Sequence, residues 1–114
     1  MSEHDDISQF LDRLSKILAT GNIYYAPRRQ SKSRDFMLKH GLNHQEMFDE
    51  LLKLTTSDYY RGPTPDHNGF PGDVMEFTHD FSGISVYIKL KIYMAKNGND
   101  CCNIMSFHDE KNYD

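Results

Sequence analysis

Residues 84–94 alternate between apolar and polar side chains without interruption. Six aliphatic or thioether side chains occupy every second position, and serine, tyrosine and lysine fill the others. Successive side chains of a β-strand point to opposite faces of a sheet, so this stretch predicts a long strand with one dry face. The other face carries Tyr87, Tyr93, Lys89 and Lys91. Such a face suits a polyanion, although a solvated exterior fits it equally well.

The length and charge of the chain limit what it can be. A chain of 114 residues predicts one domain, 1–114, with a core over about residues 5–108 and an acidic tail at 109–114. It has no apolar run long enough to span a bilayer and no visible secretory signal, so we expect a cytoplasmic protein with no membrane partner. The net charge of −4 argues against indiscriminate nucleic-acid binding, although basic residues concentrate between positions 28 and 40, including Arg28 and Arg29.

Helical periodicity dominates the first third of the chain. Residues 5–20 have apolar side chains at helical spacing, and Gly21 is placed to end that helix. Residues 22–26 are aromatic and too few for a helix, which predicts a short edge strand. Ser33 is then placed to cap a short helix over residues 34–40.

The clearest helix start in the sequence is at Asn43. Asn43 and Glu46 have the spacing of a capping box, in which each side chain accepts from the other's backbone N–H. The buried stripe of this helix is predicted to be Met47, Leu51, Leu52 and Leu54. A helical turn over residues 55–58 is expected to follow.

The second half of the chain predicts strands joined by turns. Residues 62–72 contain three glycines and three prolines, which indicates an irregular loop. Strands are predicted at 74–79 and 101–108 on either side of the central strand, with turns at 80–83 and a type I′ turn at Asn97–Gly98. Helices first and strands last predict an α+β fold, in which N-terminal helices cover one face of a C-terminal antiparallel meander.

The last strand is expected to bring a histidine to the open face of this sheet. If Met105 and Phe107 pack into the core, then Ile104, Ser106 and His108 share the face opposite the helices. Hairpin pairing sets them beside the tyrosines and lysines of the central strand. His108 would then complete a set of acid–base groups, whereas a strand-end histidine is more often inert.

The remaining candidates are weaker. Arg61 lies at the mouth of the predicted loop, where a lone arginine is usually a surface cation. The six histidines and the adjacent Cys101 and Cys102 lack the spacing of metal ligands, so no metal and no cofactor is expected.

Four segments, in order, resemble the MqsR family of type II toxin–antitoxin toxins, which are mRNA endoribonucleases with a RelE-like fold. The segments are 54–61 (LTTSDYYR), 72–74 (GDV), 86–90 (VYIKL) and 104–108 (IMSFH). The resemblance implies RNA cleavage by positioned side chains without a metal, and neutralisation by a cognate antitoxin protein.

By position, the resemblance carries three catalytic roles over to this chain. The family's basic residue after Asp-(Phe/Tyr)-Tyr falls on Arg61, its strand tyrosine on Tyr87 and its terminal lysine on His108. Histidine for lysine changes the chemistry, because histidine can exchange a proton near neutral pH. A glutamine that the family can carry before Asp-Val is Gly72 here, so that contact is absent. Contacts to the mRNA substrate are expected from Tyr60, Lys89 and Lys91.

RNA supplies its own nucleophile, the neighbouring 2′-OH. The protein has to remove that proton, stabilise the phosphorane and protonate the leaving 5′-oxygen, which yields a 2′,3′-cyclic phosphate. Arg61 and Lys89 are assigned to the phosphate, and Tyr87 and His108 to proton transfer, with either as the base. The alternative is a non-catalytic RNA- or protein-binding module that retains the toxin fold, which the net charge and the altered site residues favour.

Overall fold

A computed structural model describes residues 3–25, 32–65, 69 and 72–112. The helices are α1 (Glu3–Thr20), α2 (Lys32–His40) and α3 (His44–Leu51). The strands are β1 (Ile23–Tyr25), β2 (Tyr59–Pro65), β3 (Asp73–Phe81), β4 (Ile84–Met94) and β5 (Asp100–Asp109). Short 3₁₀ turns, Thr56–Asp58 and Glu110–Asn112, precede β2 and follow β5. Arg28 and Arg29 lie outside the described residues, so the predicted basic stretch is described only from residue 32 onward.

The strands form one sheet in the order β1-β5-β4-β3-β2. From β2 to β5 each strand is antiparallel to the next, whereas β1 runs parallel to β5 with Ile23 opposite Cys102. The α+β class is confirmed, but the prediction of a purely antiparallel meander is wrong, because the sheet is mixed. The chain between β1 and β5 contains two helices and three other strands, so no hairpin dictates the direction of β1.

The core lies between the helices and one face of the sheet. The dry face of β4 contributes Val86, Ile88, Leu90 and Ile92, all essentially without exposed surface. Apolar side chains of the three helices pack against them, among them Phe10, Leu14, Ile17, Phe36, Met37, Met47 and Leu51. The predicted faces of the central strand are therefore confirmed for these positions. Within the described residues, no helix is long and apolar enough to cross a membrane.

The capping box that opens α3 is confirmed. Asn43 Oδ1 accepts the Glu46 N–H at 2.7 Å, and Glu46 Oε1 accepts the Asn43 N–H at 3.1 Å. The predicted stripe is correct at Met47, Leu51 and Leu54, but wrong at Leu52, which is 56% exposed. Leu52 follows Leu51 directly and so points well away from the apolar stripe of the helix.

The irregular loop predicted for residues 62–72 is wrong at its first four positions. Residues 62–65 belong to β2, which lies at the edge of the sheet, where proline is tolerated. The pairing with β3 shifts register on both sides of Arg61. Gly62 has φ 116°, and a Cβ there would lie 2.6 Å from the Val74 carbonyl oxygen, so this close approach requires glycine. Beyond Pro65, only Gly69 and Gly72 of the predicted loop are among the described residues.

A bulge in β5 changes which of its side chains face the core. The pairing passes from Ser106 opposite Lys89 to Ile104 opposite Leu90, so Met105 is an extra residue. Ile104 consequently packs in the core, and Met105 is 41% exposed. The predictions of Ile104 on the open face and Met105 in the core are therefore both wrong.

Ser33 lies within α2 instead of capping it. Its Oγ accepts the Phe107 N–H at 2.8 Å. Among the described residues, β1 pairs with Cys102, Asn103 and Ile104 of β5, and further along β5 the Ser33 hydroxyl binds the Phe107 N–H. The prediction of Ser33 as an N-cap is wrong for this reason.

A turn joins β3 to β4 within the predicted residues 80–83, whereas the β4–β5 turn is not of the predicted type. Ser82 and Gly83 both have positive φ, 50° and 85°, as a two-residue type I′ turn requires. In the β4–β5 connection only Gly98 has positive φ, and Ala95 and Asn99 close a longer loop through an N–H···O bond of 2.8 Å. The type I′ prediction for Asn97–Gly98 is wrong.

Leu90→Ala is expected to lower the free energy of unfolding by ~2–5 kcal/mol, through lost burial and the cavity left behind. Leu90 has no exposed surface, whereas its neighbour Lys89 faces the other side of the sheet and is half-buried. Lys89→Ala, the matched control, should change stability much less. Urea unfolding of the three proteins measures this, and equal losses for the two variants would contradict the assignment of faces.

Candidate functional site

The face of the sheet opposite the helices brings polar side chains from four strands into two neighbouring rows. In the first row, Arg61 of β2 pairs with Glu76 of β3, which pairs with Lys89 of β4, which pairs with Ser106 of β5. The second row contains Thr78, Tyr87 and His108. Directly opposed residues share a face, so all of these side chains belong to one surface. We call it the open face.

Glu76 holds Arg61 through two hydrogen bonds. Arg61 Nε donates to Glu76 Oε2 at 2.8 Å, and Nη2 donates to Oε1 at 3.0 Å. The Arg61 side chain is 54% exposed, whereas the carboxylate is almost completely buried. The guanidinium carbon also lies 5.4 Å from the centre of the Tyr60 ring, which is itself exposed. The cation is thus fixed between a carboxylate and an exposed aromatic ring.

Tyr87 shares the same carboxylate. Its hydroxyl donates a hydrogen bond to Glu76 Oε1, the oxygen that also accepts from Arg61. Tyr87 is only 6% exposed, so the prediction that it is accessible is wrong, although it lies on the predicted face. The alternation of a strand determines the face of a side chain, and neighbouring side chains on that face determine its exposure.

Glu76 is ionised in this setting. Burial by itself raises the pKa of Glu76, but hydrogen bonds from Arg61 and Tyr87, together with the charges of Arg61 and Lys89, outweigh burial. The net result is a pKa below the usual value for a glutamic acid. Lys89 therefore acts on Glu76 as a nearby charge from the next strand.

His108 lies beside Tyr87. Their ring centres are 5.4 Å apart, and the rings are tilted by 48°. His108 Nδ1 lies 3.0 Å from the Asp109 carbonyl oxygen, which can only accept, so this bond requires the proton on Nδ1. In the neutral ring Nε2 then carries the lone pair, which is the atom a general base uses. The histidine is buried, like Tyr87.

Lys91 is two residues further along β4 and lies apart from this group. It pairs with Val74 and Asn103, it is buried, and its Nζ lies 5.8 Å from the centre of the Tyr93 ring. A Cβ on Gly72 would lie 2.8 Å from Lys91 Cε and 2.9 Å from the Ile92 carbonyl oxygen. The side chain of a glutamine at position 72 would therefore clash with these atoms. The φ of 126° at this position also favours glycine over a residue with a Cβ.

A depression of about 310 Å³ opens beside Arg61 on the open face. Its lining residues are Arg61, Thr64, Pro65, Val74, Glu76, Lys89 and Met105. Two cations and one carboxylate thus border it, with Met105 as an apolar rim placed there by the bulge of β5. Tyr87 and His108 do not line the depression and lie in the adjacent row. The structure therefore brings Arg61, Tyr60, Tyr87, Lys89 and His108 into one neighbourhood, and leaves Lys91 outside it.

Sequence reasoning missed Glu76, which contacts two of the three predicted catalytic residues. The only available signal was an acid at an alternate position of a predicted strand next to the central one.

A second acidic group was also missed, on the helix side of the sheet. There, His79 Nε2 lies 3.2 Å from Glu50 Oε1, and His79 Nδ1 lies 3.2 Å from Asp58 Oδ2. These contacts connect β3 to α3 and the turn before β2.

Comparisons with known proteins identify no relative. No family model, no curated protein and no solved structure matches the chain. Assignment to the MqsR family stays a prediction from the four segments. In residues 3–25, 32–65, 69 and 72–112, no group of three or more His, Cys, Asp or Glu side chains is arranged to hold a metal ion.

Glu76→Gln is expected to flatten the dependence of stability on acid pH. A carboxyl with a lowered folded-state pKa stabilises the fold above its unfolded pKa, and that contribution is lost as the pH falls through the folded pKa. Wild type should therefore lose more unfolding free energy than the variant between about pH 7 and about pH 3. Urea unfolding across this range measures the difference, and superimposable pH profiles would count against an ionised Glu76.

Proposed function

We propose that this chain is a metal-independent endoribonuclease toxin that acts on mRNA in the cytoplasm and is neutralised by an antitoxin protein. One observation carries the proposal. Arg61, Tyr87, Lys89 and His108, which come from three strands, meet on the open face, and Arg61 and Lys89 border a depression. The MqsR-like segments, and the RelE-like fold that they imply, add the toxin class to this chemistry.

The depression suits one phosphate of a single RNA strand. Arg61 and Lys89 supply positive charge from two sides, and a planar guanidinium matches the geometry of a phosphate. The exposed ring of Tyr60 beside Arg61 offers a surface on which a neighbouring base can stack. Met105 adds an apolar contact at the rim. Phosphate and base contacts together favour RNA in an unpaired, extended form.

Cleavage then needs two proton transfers. His108 Nε2, the basic nitrogen of the neutral ring, takes the proton of the 2′-OH as that oxygen bonds to phosphorus. The bond from phosphorus to the 5′-oxygen breaks, and the Tyr87 hydroxyl protonates the leaving oxygen. Arg61 and Lys89 stabilise the charge on the phosphorane, and exchange with water restores the two protein groups. The products are a 2′,3′-cyclic phosphate and a 5′-hydroxyl.

A second candidate is a binding module without catalysis. Glu76 already pairs with Arg61, and both Tyr87 and His108 are buried, as in a purely structural network. Incubation of a long RNA with the purified protein in EDTA separates the two candidates. The enzyme should leave new 2′,3′-cyclic phosphate ends on RNA and leave DNA intact, because DNA lacks the 2′-OH. Bound but uncut RNA would favour the module.

Arg61→Ala is expected to reduce RNA cleavage in EDTA on the order of a hundredfold, the typical effect of removing one charged contact to a transition state. Arg13→Ala is the matched control, because Arg13 also makes a two-point contact with a carboxylate, Asp100, at 3.2 and 3.1 Å on a different part of the surface. Single-turnover rates with a labelled RNA measure both. A normal rate for Arg61→Ala removes Arg61 from the mechanism.

His108→Ala is expected to lower the cleavage rate ~10²–10⁴-fold, the usual contribution of a positioned acid or base. The wild-type rate should depend on pH, because only a neutral imidazole ring can accept the 2′-OH proton. His108→Lys, which restores the family's residue, should recover part of the rate and remove this dependence. His108→Gln keeps the size and polarity of the ring, and a silent His108→Gln would reduce His108 to a packing residue.

A further inference from the structure

We infer that Glu76 is the positioning residue of this site. It holds the geometry that cleavage needs, and at the same time it weakens the binding of RNA. The inference rests on the proposed ribonuclease function. In this view the carboxylate fixes Arg61 and Tyr87 relative to each other, and it also competes with the RNA phosphate for Arg61.

The first argument is the number of donors on one carboxylate. Glu76 accepts from Arg61 Nε and Nη2 and from the Tyr87 hydroxyl, and it is only 4% exposed. Charge-assisted hydrogen bonds of this kind are strong and directional, and here little water can replace them. One side chain therefore determines the relative position of a phosphate-binding group and a proton donor.

The second argument is the weak support of Arg61 by its own strand. β2 is an edge strand with a single neighbour, and its pairing with β3 shifts register before and after Arg61. A regular ladder of backbone bonds cannot fix the side chain at such a point. The two bonds to Glu76 do so instead, from a strand that is paired on both sides.

The third argument is chemical similarity between the carboxylate and the substrate. The Nε and Nη2 edge of a guanidinium matches carboxylate and phosphate equally well, and Glu76 occupies that edge of Arg61. Its negative charge also lies directly opposite Lys89 in the adjacent strand. An arriving phosphate thus meets a site whose cations are already partly neutralised.

These two roles predict effects of opposite sign, which a merely structural residue would not produce. Without the charge on Glu76, RNA should bind more tightly, because Arg61 is released to the phosphate. Without the fixed geometry, the chemical step should slow. A residue that only stabilises the fold would reduce binding and cleavage together.

The test uses Glu76→Gln, which keeps the shape and one acceptor oxygen but removes the charge. Binding to a 2′-O-methyl RNA, which lacks the nucleophile, is measured by fluorescence anisotropy at several salt concentrations. We expect Kd to fall by several-fold, and the slope of log K against log salt to steepen by about 0.7, as for one more neutralised phosphate on a single strand. On cleavable RNA, KM should fall with Kd, and kcat should fall at least about tenfold.

Two further variants keep the result interpretable. Asp80→Asn removes one charge from an exposed position of the same strand and the same face, and it should leave Kd and kcat within about twofold of wild type. Glu76→Asp keeps the charge but shortens the reach to Arg61 and Tyr87, so kcat should fall. This variant also tests the positioning role if Glu76→Gln does not fold, which circular dichroism will reveal.

The outcomes separate this inference from the proposed function. Unchanged or weaker binding by Glu76→Gln, or a gain equal to that of Asp80→Asn, overturns the competition. A normal kcat for Glu76→Asp overturns the positioning. If wild type binds RNA but never cuts it, the ribonuclease proposal fails and the positioning role fails with it, while the uncleavable RNA still decides whether Glu76 competes for Arg61.

Discussion

The period-two alternation of β4 is the constraint on which the rest of the molecule depends. The strand pairs along nearly its whole length with both β3 and β5, so its register is transmitted to each neighbour. Ile88 and Leu90 fix the helices on one side, and Tyr87 and Lys89 fix the site on the other. A shift of one residue would exchange the two faces and remove the core and the site together.

Features that depend on short-range patterns could be predicted from the sequence. The bounds of β4 follow from its own alternation, and the start of α3 follows from two residues, Asn43 and Glu46, three positions apart. Features that depend on the register between two paired strands could not be predicted from the sequence. The extra residue Met105 disturbs no local pattern, yet it decides that Ile104 faces the core.

The candidate site divides in the same way. Alternation assigned Tyr87 and Lys89 to one face, and the resemblance drew attention to Arg61 and His108. The role of Glu76 could not be predicted, because its partners Arg61 and Tyr87 lie fifteen residues before and eleven residues after it in the chain. No spacing within a single strand reports such a contact, and only the assembled sheet makes the carboxylate the centre of the group.

The contact between Ser33 and Phe107 has a consequence for how this molecule meets other proteins. A sheet with open edges can recruit a strand from another chain, which leads to aggregation or to recognition by strand addition. Here a helix hydroxyl closes the β5 backbone where β1 ends, and Pro63 and Pro65 deprive β2 of two N–H groups at the opposite edge. Ser33, Pro63 and Pro65 therefore make backbone pairing with another chain less favourable at these positions.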